Sequence, residues 1–168
     1  MIFIIILGSV LHFTFALSDY NLLVGAFSAV NESVWEHLKL GFWPALFYAA
    51  IEYRLLKELP NNFLFAKAVG IYVIPIAITV MFYSYTAVLG EDLFIMDIMI
   101  FILAVIIGQI VSYKLLTNKN SGENLNKISL IAIIILGLAF VLFTYYPPEL
   151  PPFRDPISGE YGITNHLH

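Results

Sequence analysis

The amino-acid sequence predicts an all-α membrane protein, built as a bundle of about five transmembrane helices. Two observations support this prediction. The chain of 168 residues is 60% hydrophobic and only 12% charged, whereas a soluble domain carries about 25% charged residues. Its apolar residues also fall into five long segments, and a helix needs about 20 apolar residues to cross a bilayer.

The predicted helices are, in order, residues 2–17, about 38–56, about 63–89, 93–116 and 128–145. The last four are long enough to span a bilayer, and the first is shorter. The first segment has the length of a signal peptide, but no Lys or Arg precedes it and Ala16-Leu17-Ser18 is a poor cleavage site. We therefore expect a retained helix.

The distribution of charge predicts a cytoplasmic N-terminus and an external C-terminus. The even-numbered connections carry most of the basic residues, namely Arg54, Lys57, Lys67, Lys114, Lys119 and Lys127. Cytoplasmic loops are enriched in Lys and Arg. Most of the acidic residues fall on the other side, although acids contribute little to this rule. An acidic, histidine-containing outer side is therefore a separate observation.

The chain divides into a transmembrane domain, residues 1–146, and an extracytoplasmic Pro-rich tail, residues 147–168. Closely spaced prolines stiffen the start of the tail, and Asp155-Pro156 favours a turn. Apolar residues spaced along the tail suit docking better than disorder. We predict that the tail packs on the outer face of the helices. The terminal pair His166 and His168 could chelate an ion, but terminal residues are usually loose.

The segment Asn31–Lys39 (NESVWEHLK) concentrates charge beside a long apolar stretch. In one interpretation Ser33 and Glu36 form a capping box that opens the second helix, and Glu36 pairs with Lys39. Helical periodicity would place Glu32, Glu36 and Lys39 on one face. In the other interpretation, Glu32 or Glu36 with His37 faces a cavity and binds a cation or handles a proton, since ionisable groups at membrane depth are usually functional.

His12 lies in the first segment, roughly 10 Å below its polar end at the rise of a helix. It is either an interhelical hydrogen-bond partner or a metal ligand or proton carrier near His37. The candidate metal ligands are His12, His37 and Glu36, with Glu32 and Asp155 as further carboxylates that could take part, and zinc is the candidate ion. The chain has no Cys, which excludes thiolate ligands and disulfides. Asp97 is either an interfacial acid or an acid that faces a cavity.

We predict that the first helix, the Asn31–Lys39 segment and the tail meet on the outer side. The candidate site residues for an ion, a proton or a substrate are His12, Asn31, Glu32, Trp35, Glu36, His37, Lys39, Asp97, Arg154, Asp155 and Tyr161.

The string N-E-S-x-W-E-H-x-K at residues 31–39 and the tail elements Asp155-Pro156 and Tyr161-Gly162-Ile163 resemble a family of small prokaryotic integral membrane proteins of unknown function. The resemblance covers nearly the whole chain. It implies about five membrane helices and no assigned activity.

Three hypotheses for function remain open. The outer cluster could handle a cation or a proton, the chain could be a metal-dependent intramembrane hydrolase, or it could be a structural membrane module. No HExxH pattern supports the hydrolase. No basic run suggests nucleic acid as a partner; the lipid bilayer is the expected partner, and the sequence names no protein partner. We expect a multi-pass protein of a prokaryotic plasma membrane.

Overall fold

The computed structural model describes residues 1–118 and 123–163, and within them the ordered elements are helical. The α-helices are α1 (Ile2–Leu17), α2 (Leu22–Gly25), α3 (Val34–Leu55), α4 (Phe63–Leu89), α5 (Phe94–Thr117) and α6 (Asn126–Tyr145). Short 3₁₀ turns cover Glu123–Leu125 and Pro151–Phe153. The prediction of an all-helical fold is confirmed for this part of the chain.

Helices α4, α5 and α6 are each long and apolar enough to cross a membrane. Helix α1 is apolar but has only 16 residues, and α3 has 22 residues with charged side chains near both ends. The predicted membrane character is therefore supported by three of the five long helices, while the number of spans and their orientation remain predictions.

The five long helices alternate in direction. Asn62, just before α4, donates to the carbonyl of Leu115 at the end of α5 (2.7 Å), and Tyr85 near the end of α4 donates to Asp97 in the first turn of α5 (2.6 Å). The bundle therefore has two distinct ends. We call them the histidine end, with the connections 17–34 and 89–94 and the tail 145–163, and the lysine end, with the connections 55–63 and 117–126.

The limits of the predicted segments agree with the helices to within a few residues, with one informative exception. Helix α3 begins at Val34 rather than near residue 38, because the Ser33 hydroxyl caps it by accepting from the backbone N–H of Glu36 (3.4 Å). The short helix α2, capped by the Asn21 side chain, was not predicted, since four residues are too few for a periodic pattern.

The tail folds back onto the histidine end. Phe153 is buried, and its ring lies 4.8 Å from that of Trp35 in α3 and 5.6 Å from that of Phe143 in α6, measured between centroids. The side-chain amide of Asn31 donates to the carbonyl of Gly162 (2.8 Å). The tail thus packs on two helices and on the connection before α3.

Candidate functional site

His12, Glu32 and His37 converge at the histidine end, and we call them the histidine cluster. The Nε2 atoms of His12 and His37 lie 3.1 Å apart. One Glu32 oxygen lies 3.6 Å from Nε2 of His12 and 3.4 Å from Nε2 of His37. Two imidazoles and a carboxylate therefore face one point, contributed by α1, α3 and the connection between them.

Local hydrogen bonds explain why these three side chains meet. The buried hydroxyl of Ser28 accepts from the backbone N–H of Phe15 (3.0 Å) and donates to the carbonyl of Leu11, which fixes the connection to the last turns of α1. Glu32 directly precedes the cap residue Ser33, and Nδ1 of His37 lies 2.9 Å from the carbonyl of Ser33. The start of α3 thereby turns His37 and Glu32 toward α1.

The cluster carries a negative charge and lies at the surface of the bundle. Hydrogen bonds from His12 and His37 hold the pKa of the Glu32 carboxyl well below its usual range, so Glu32 is a carboxylate at neutral pH. The side chains of His12, His37 and Glu32 are 26%, 33% and 42% exposed. None of the three groups is therefore enclosed in the core of the bundle.

Glu36 belongs to a separate, buried group. Its carboxylate lies 2.6 Å from Nζ of Lys39 and accepts from the backbone N–H of Val30 (3.1 Å). Lys39 also donates to the carbonyl of Gly25 (2.9 Å) and to the Thr144 hydroxyl (2.7 Å), which lies 3.0 Å from the other Glu36 oxygen. We call Glu36 and Lys39 the buried ion pair. The Thr144 hydroxyl is hydrogen-bonded to both members of the pair.

This arrangement distinguishes among the carboxylates that the sequence offers as metal ligands. The set His12, His37 and Glu36 is not brought together, because both Glu36 oxygens are engaged inside the bundle. Glu32 is the carboxylate that lies beside the two imidazoles. The expected capping box is also only half formed: the backbone N–H of Ser33 is bound by the side chain of Asn31 (2.9 Å) rather than by Glu36.

The remaining candidates lie at the same end but outside the cluster. Asp97 accepts from the Tyr85 hydroxyl and so joins α4 to α5. Asp155 is buried and accepts from the backbone N–H groups of residues 157 and 158 and from the Ser158 hydroxyl (2.6 Å), which closes the tail turn. Arg154 pairs with Tyr161 in an isolated antiparallel bridge, and its guanidinium donates to the carbonyl of Gly159 (3.0 Å).

Two candidates serve the attachment of the tail. Trp35 stacks among Phe140, Phe143 and Phe153, and Asn31 holds the tail backbone. The Asn31–Lys39 segment therefore contacts both the first helix, through His37 and His12, and the tail, through Trp35 and Asn31. That all three meet on the outer side stays a prediction. The pair His166 and His168 lies outside the described residues.

Several structural partners were missed at the sequence level. Thr144 and Ser28 are the clearest, since both are fully buried and both hold the site in place. Thr144 was detectable as a hydroxyl near the end of an apolar segment. The Gly25 carbonyl and the Val30 N–H were not detectable, because residue type does not indicate which backbone groups bind a side chain.

Comparison with known proteins adds family membership but no activity. A model of a family of unknown function, DUF6512, matches residues 1–163. No curated protein and no solved structure matches the chain.

Proposed function

The chain belongs to the DUF6512 family, whose function is unknown, and from this premise we propose that it is an integral membrane protein that binds a cation at its outer face. In this proposal five helices span the plasma membrane of a prokaryote, with the N-terminus inside and the tail outside. The histidine cluster is the cation site, and the tail covers the neighbouring face of α3 and α6.

Helix lengths support five spans. At about 1.5 Å per residue, the 22 residues of α3 reach roughly 33 Å, which matches the roughly 30 Å of a hydrocarbon core. The charges near the start of α3 are neutralised, because Glu36 and Lys39 pair within the bundle. Helix α1 is shorter, and a modest local thinning of the bilayer would accommodate it.

Charge supports the orientation. Four basic residues lie in or directly beside the connections at the lysine end, namely Arg54, Lys57, Lys119 and Lys127, as expected near the cytoplasmic ends of membrane helices. At the histidine end the two basic residues are Lys39, which is buried and paired, and Arg154 in the tail. The histidine cluster would then face the outside.

The convergence of His12, Glu32 and His37 carries the functional part of the proposal. A carboxylate held in its charged form between two imidazoles attracts a cation. The cap of α3 does not require this arrangement, since Ser33 supplies the cap, and the contact of α3 with α6 does not require it, since the buried ion pair joins those two helices. Cation binding would account for the histidine cluster, which these structural roles leave unexplained.

The placement of buried polar groups supports binding rather than passage through the bundle. Within the described part of the chain, these side chains lie toward one end or the other, with Lys39 and Thr144 at the histidine end and Asn62 and Lys67 at the lysine end. Apolar side chains fill the space between them. The core residues of that layer include Phe42, Ala45, Ile71, Ile74, Ala104, Val105 and Ile133.

The proposal can be tested by thermal unfolding of the detergent-purified protein with Na⁺, K⁺, Mg²⁺, Ca²⁺, Mn²⁺ or Zn²⁺. A bound cation at about 100 times its Kd adds about 2.7 kcal/mol, which corresponds to a rise of roughly 5–10 °C in Tm for a chain of this size. We expect this rise with at least one cation in the wild type and not in Glu32→Gln.

Glu91→Gln is the matched control, because Glu91 is an exposed acid at the same end outside the cluster. It should respond like the wild type. If no cation raises the Tm, or if Glu32→Gln responds as the wild type does, the proposed function is wrong.

A purely structural role is the second candidate. The observation that favours it is the buried ion pair, which ties α3 to α6 through Thr144 and to the preceding connection through the Gly25 carbonyl and the Val30 N–H. This network explains Glu36 and Lys39 fully. It does not involve the histidine cluster, so the cation experiment separates the two candidates.

A further inference from the structure

We infer that the histidine cluster is a site for a divalent transition metal of the zinc class, bound through Nε2 of His12, Nε2 of His37 and a carboxylate oxygen of Glu32. One coordination position is left open. The inference rests on the proposed function, since it names the cation that the cluster takes.

The distances between the three ligand atoms carry the inference. They lie 3.1, 3.4 and 3.6 Å apart. Zinc binds imidazole nitrogen and carboxylate oxygen at about 2.0–2.2 Å. Two such ligands at a tetrahedral angle lie roughly 3.3–3.5 Å apart at these bond lengths. The three atoms therefore already have the spacing of one face of a tetrahedral site, and shifts of a few tenths of an ångström would complete it.

The donor set selects the class of metal. Ca²⁺ and Mg²⁺ are hard cations that take oxygen ligands, whereas two of the three donors here are imidazole nitrogens. Imidazole suits Zn²⁺, Cu²⁺, Ni²⁺ and Fe²⁺. Together with one carboxylate it forms the mixed nitrogen and oxygen set that is common in zinc sites.

One of the two histidine rings is held by a hydrogen bond on the nitrogen that faces away from the cluster. Nδ1 of His37 donates to the Ser33 carbonyl (2.9 Å), so Nε2 is the nitrogen that faces the cluster. A bound metal would replace the proton on Nε2, and the ring would keep the hydrogen bond on its other nitrogen that metal-bound histidines usually have. Nδ1 of His12 is buried and finds no partner in the described part of the chain. We therefore expect weaker affinity than at sites where both rings are held.

The cluster supplies three ligands, and Glu32 remains 42% exposed. A fourth position is thus available to water or to a ligand from outside. Three protein ligands with one open position is the arrangement found in catalytic rather than structural zinc sites. The hydrolase hypothesis requires an open position of this kind. The inference that the metal binds does not depend on that hypothesis.

The test is metal analysis of the full-length protein, purified through a tag without histidine, stripped with a chelator and reloaded with Zn²⁺. Binding is measured by elemental analysis and by competition against a chromophoric chelator. We expect one Zn²⁺ per chain. His37→Ala and Glu32→Gln should each weaken the affinity at least about 100-fold, since loss of a ligand costs more than loss of its support.

The matched control is the double variant His166→Ala/His168→Ala, which removes the other two of the four histidines and should still bind one Zn²⁺. A folding defect in His37→Ala would also abolish metal binding. Glu32→Gln avoids this ambiguity, because Glu32 lies in a partly exposed connection where the substitution should leave the fold intact. Circular dichroism and gel filtration verify the fold of every variant.

Three results would overturn the inference. If the tail double variant loses the metal, the metal is bound by the tail. If Zn²⁺ does not bind while Ca²⁺ or another hard cation protects the wild type in a Glu32-dependent manner, the metal class is wrong and the proposed function stands. If no cation binds at all, both are wrong.

Discussion

At the scale of single residues, two glutamates four positions apart have opposite environments. Glu32 is exposed and faces two imidazoles, whereas Glu36 is 2% exposed and lies against Lys39, which is fully buried. Burying two charges is costly and is offset only when geometry and additional hydrogen bonds are good. Thr144, the Gly25 carbonyl and the Val30 N–H supply those additional bonds.

Removing the charge of one partner of the buried ion pair should therefore destabilise the fold far more than removing both charges. We expect Lys39→Met to lower the free energy of unfolding by about 3–5 kcal/mol, because the Glu36 carboxylate is left buried without a counter-charge. The double variant Lys39→Met/Glu36→Gln should recover a substantial part of that loss. The measurement is denaturant unfolding in detergent micelles.

Glu32→Gln, four residues away but partly exposed, is the control, and without added metal it should change stability by less than about 1 kcal/mol. Equal destabilisation of the single and double variants would show that the charge balance of the pair is not what stabilises this region.

The sequence allowed the Glu36–Lys39 pair and the proximity of His12 and His37 to be predicted, but it did not predict which glutamate would join the histidines. Helical periodicity placed Glu32 and Glu36 on one face. This expectation was wrong because α3 begins at Val34, so Glu32 lies outside the helix and the periodicity does not apply to it. The buried position of Glu36 depends on its contact with Thr144, 108 positions away in the chain. A local sequence pattern cannot predict that contact.

At the scale of elements, the contact between α4 and α5 depends on small residues. A Cβ atom added to Gly70 would lie 2.6 Å from Cβ of Ser112 and 2.8 Å from the carbonyl oxygen of Gly108. Membrane helices approach closely where small residues face each other, since van der Waals packing rather than the hydrophobic effect holds them together. Gly70, Gly108 and Ser112 thus set the distance between the two helices.

Gly70→Ala should lower the Tm of the purified protein, because the added methyl meets backbone that cannot move aside. We expect a loss of roughly 1–3 kcal/mol, as is usual for overpacking. Gly137→Ala in α6 is the matched control. Its added Cβ would lie 3.4 Å from the ring of Phe42, where a small shift suffices. A Gly70→Ala protein as stable as Gly137→Ala would show that the contact between α4 and α5 is looser than described.

Elements were more predictable than contacts. Apolar length alone located the five long helices, since each must present an apolar surface over most of its length. Apolar length did not predict helix α2 or the packing of Phe153 against Trp35. Both depend on capping and on aromatic packing between parts of the chain distant in sequence, although the spacing of apolar residues did indicate that the tail docks.

At the scale of the whole molecule, the two ends of the bundle differ in charge and in chemistry. The histidine end holds the tail and the cluster, and most of the Lys and Arg residues lie in or beside the connections at the lysine end. The orientation in the membrane therefore decides whether the cluster meets ions of the exterior or of the cytoplasm. The absence of Cys from the sequence allows each position to be tested with a single introduced thiol and no background.

We expect Glu91→Cys and Glu160→Cys, both exposed at the histidine end, to react in intact cells with a maleimide that cannot cross the membrane. Lys57→Cys and Glu58→Cys at the lysine end should react only after permeabilisation, because the ends of membrane helices that are rich in Lys and Arg stay in the cytoplasm. The reverse labelling would place the cluster in the cytoplasm, where it would meet a different supply of metal. Labelling of all four positions from one side would contradict alternating spans, and with them the five-helix arrangement on which the outer position of the site depends.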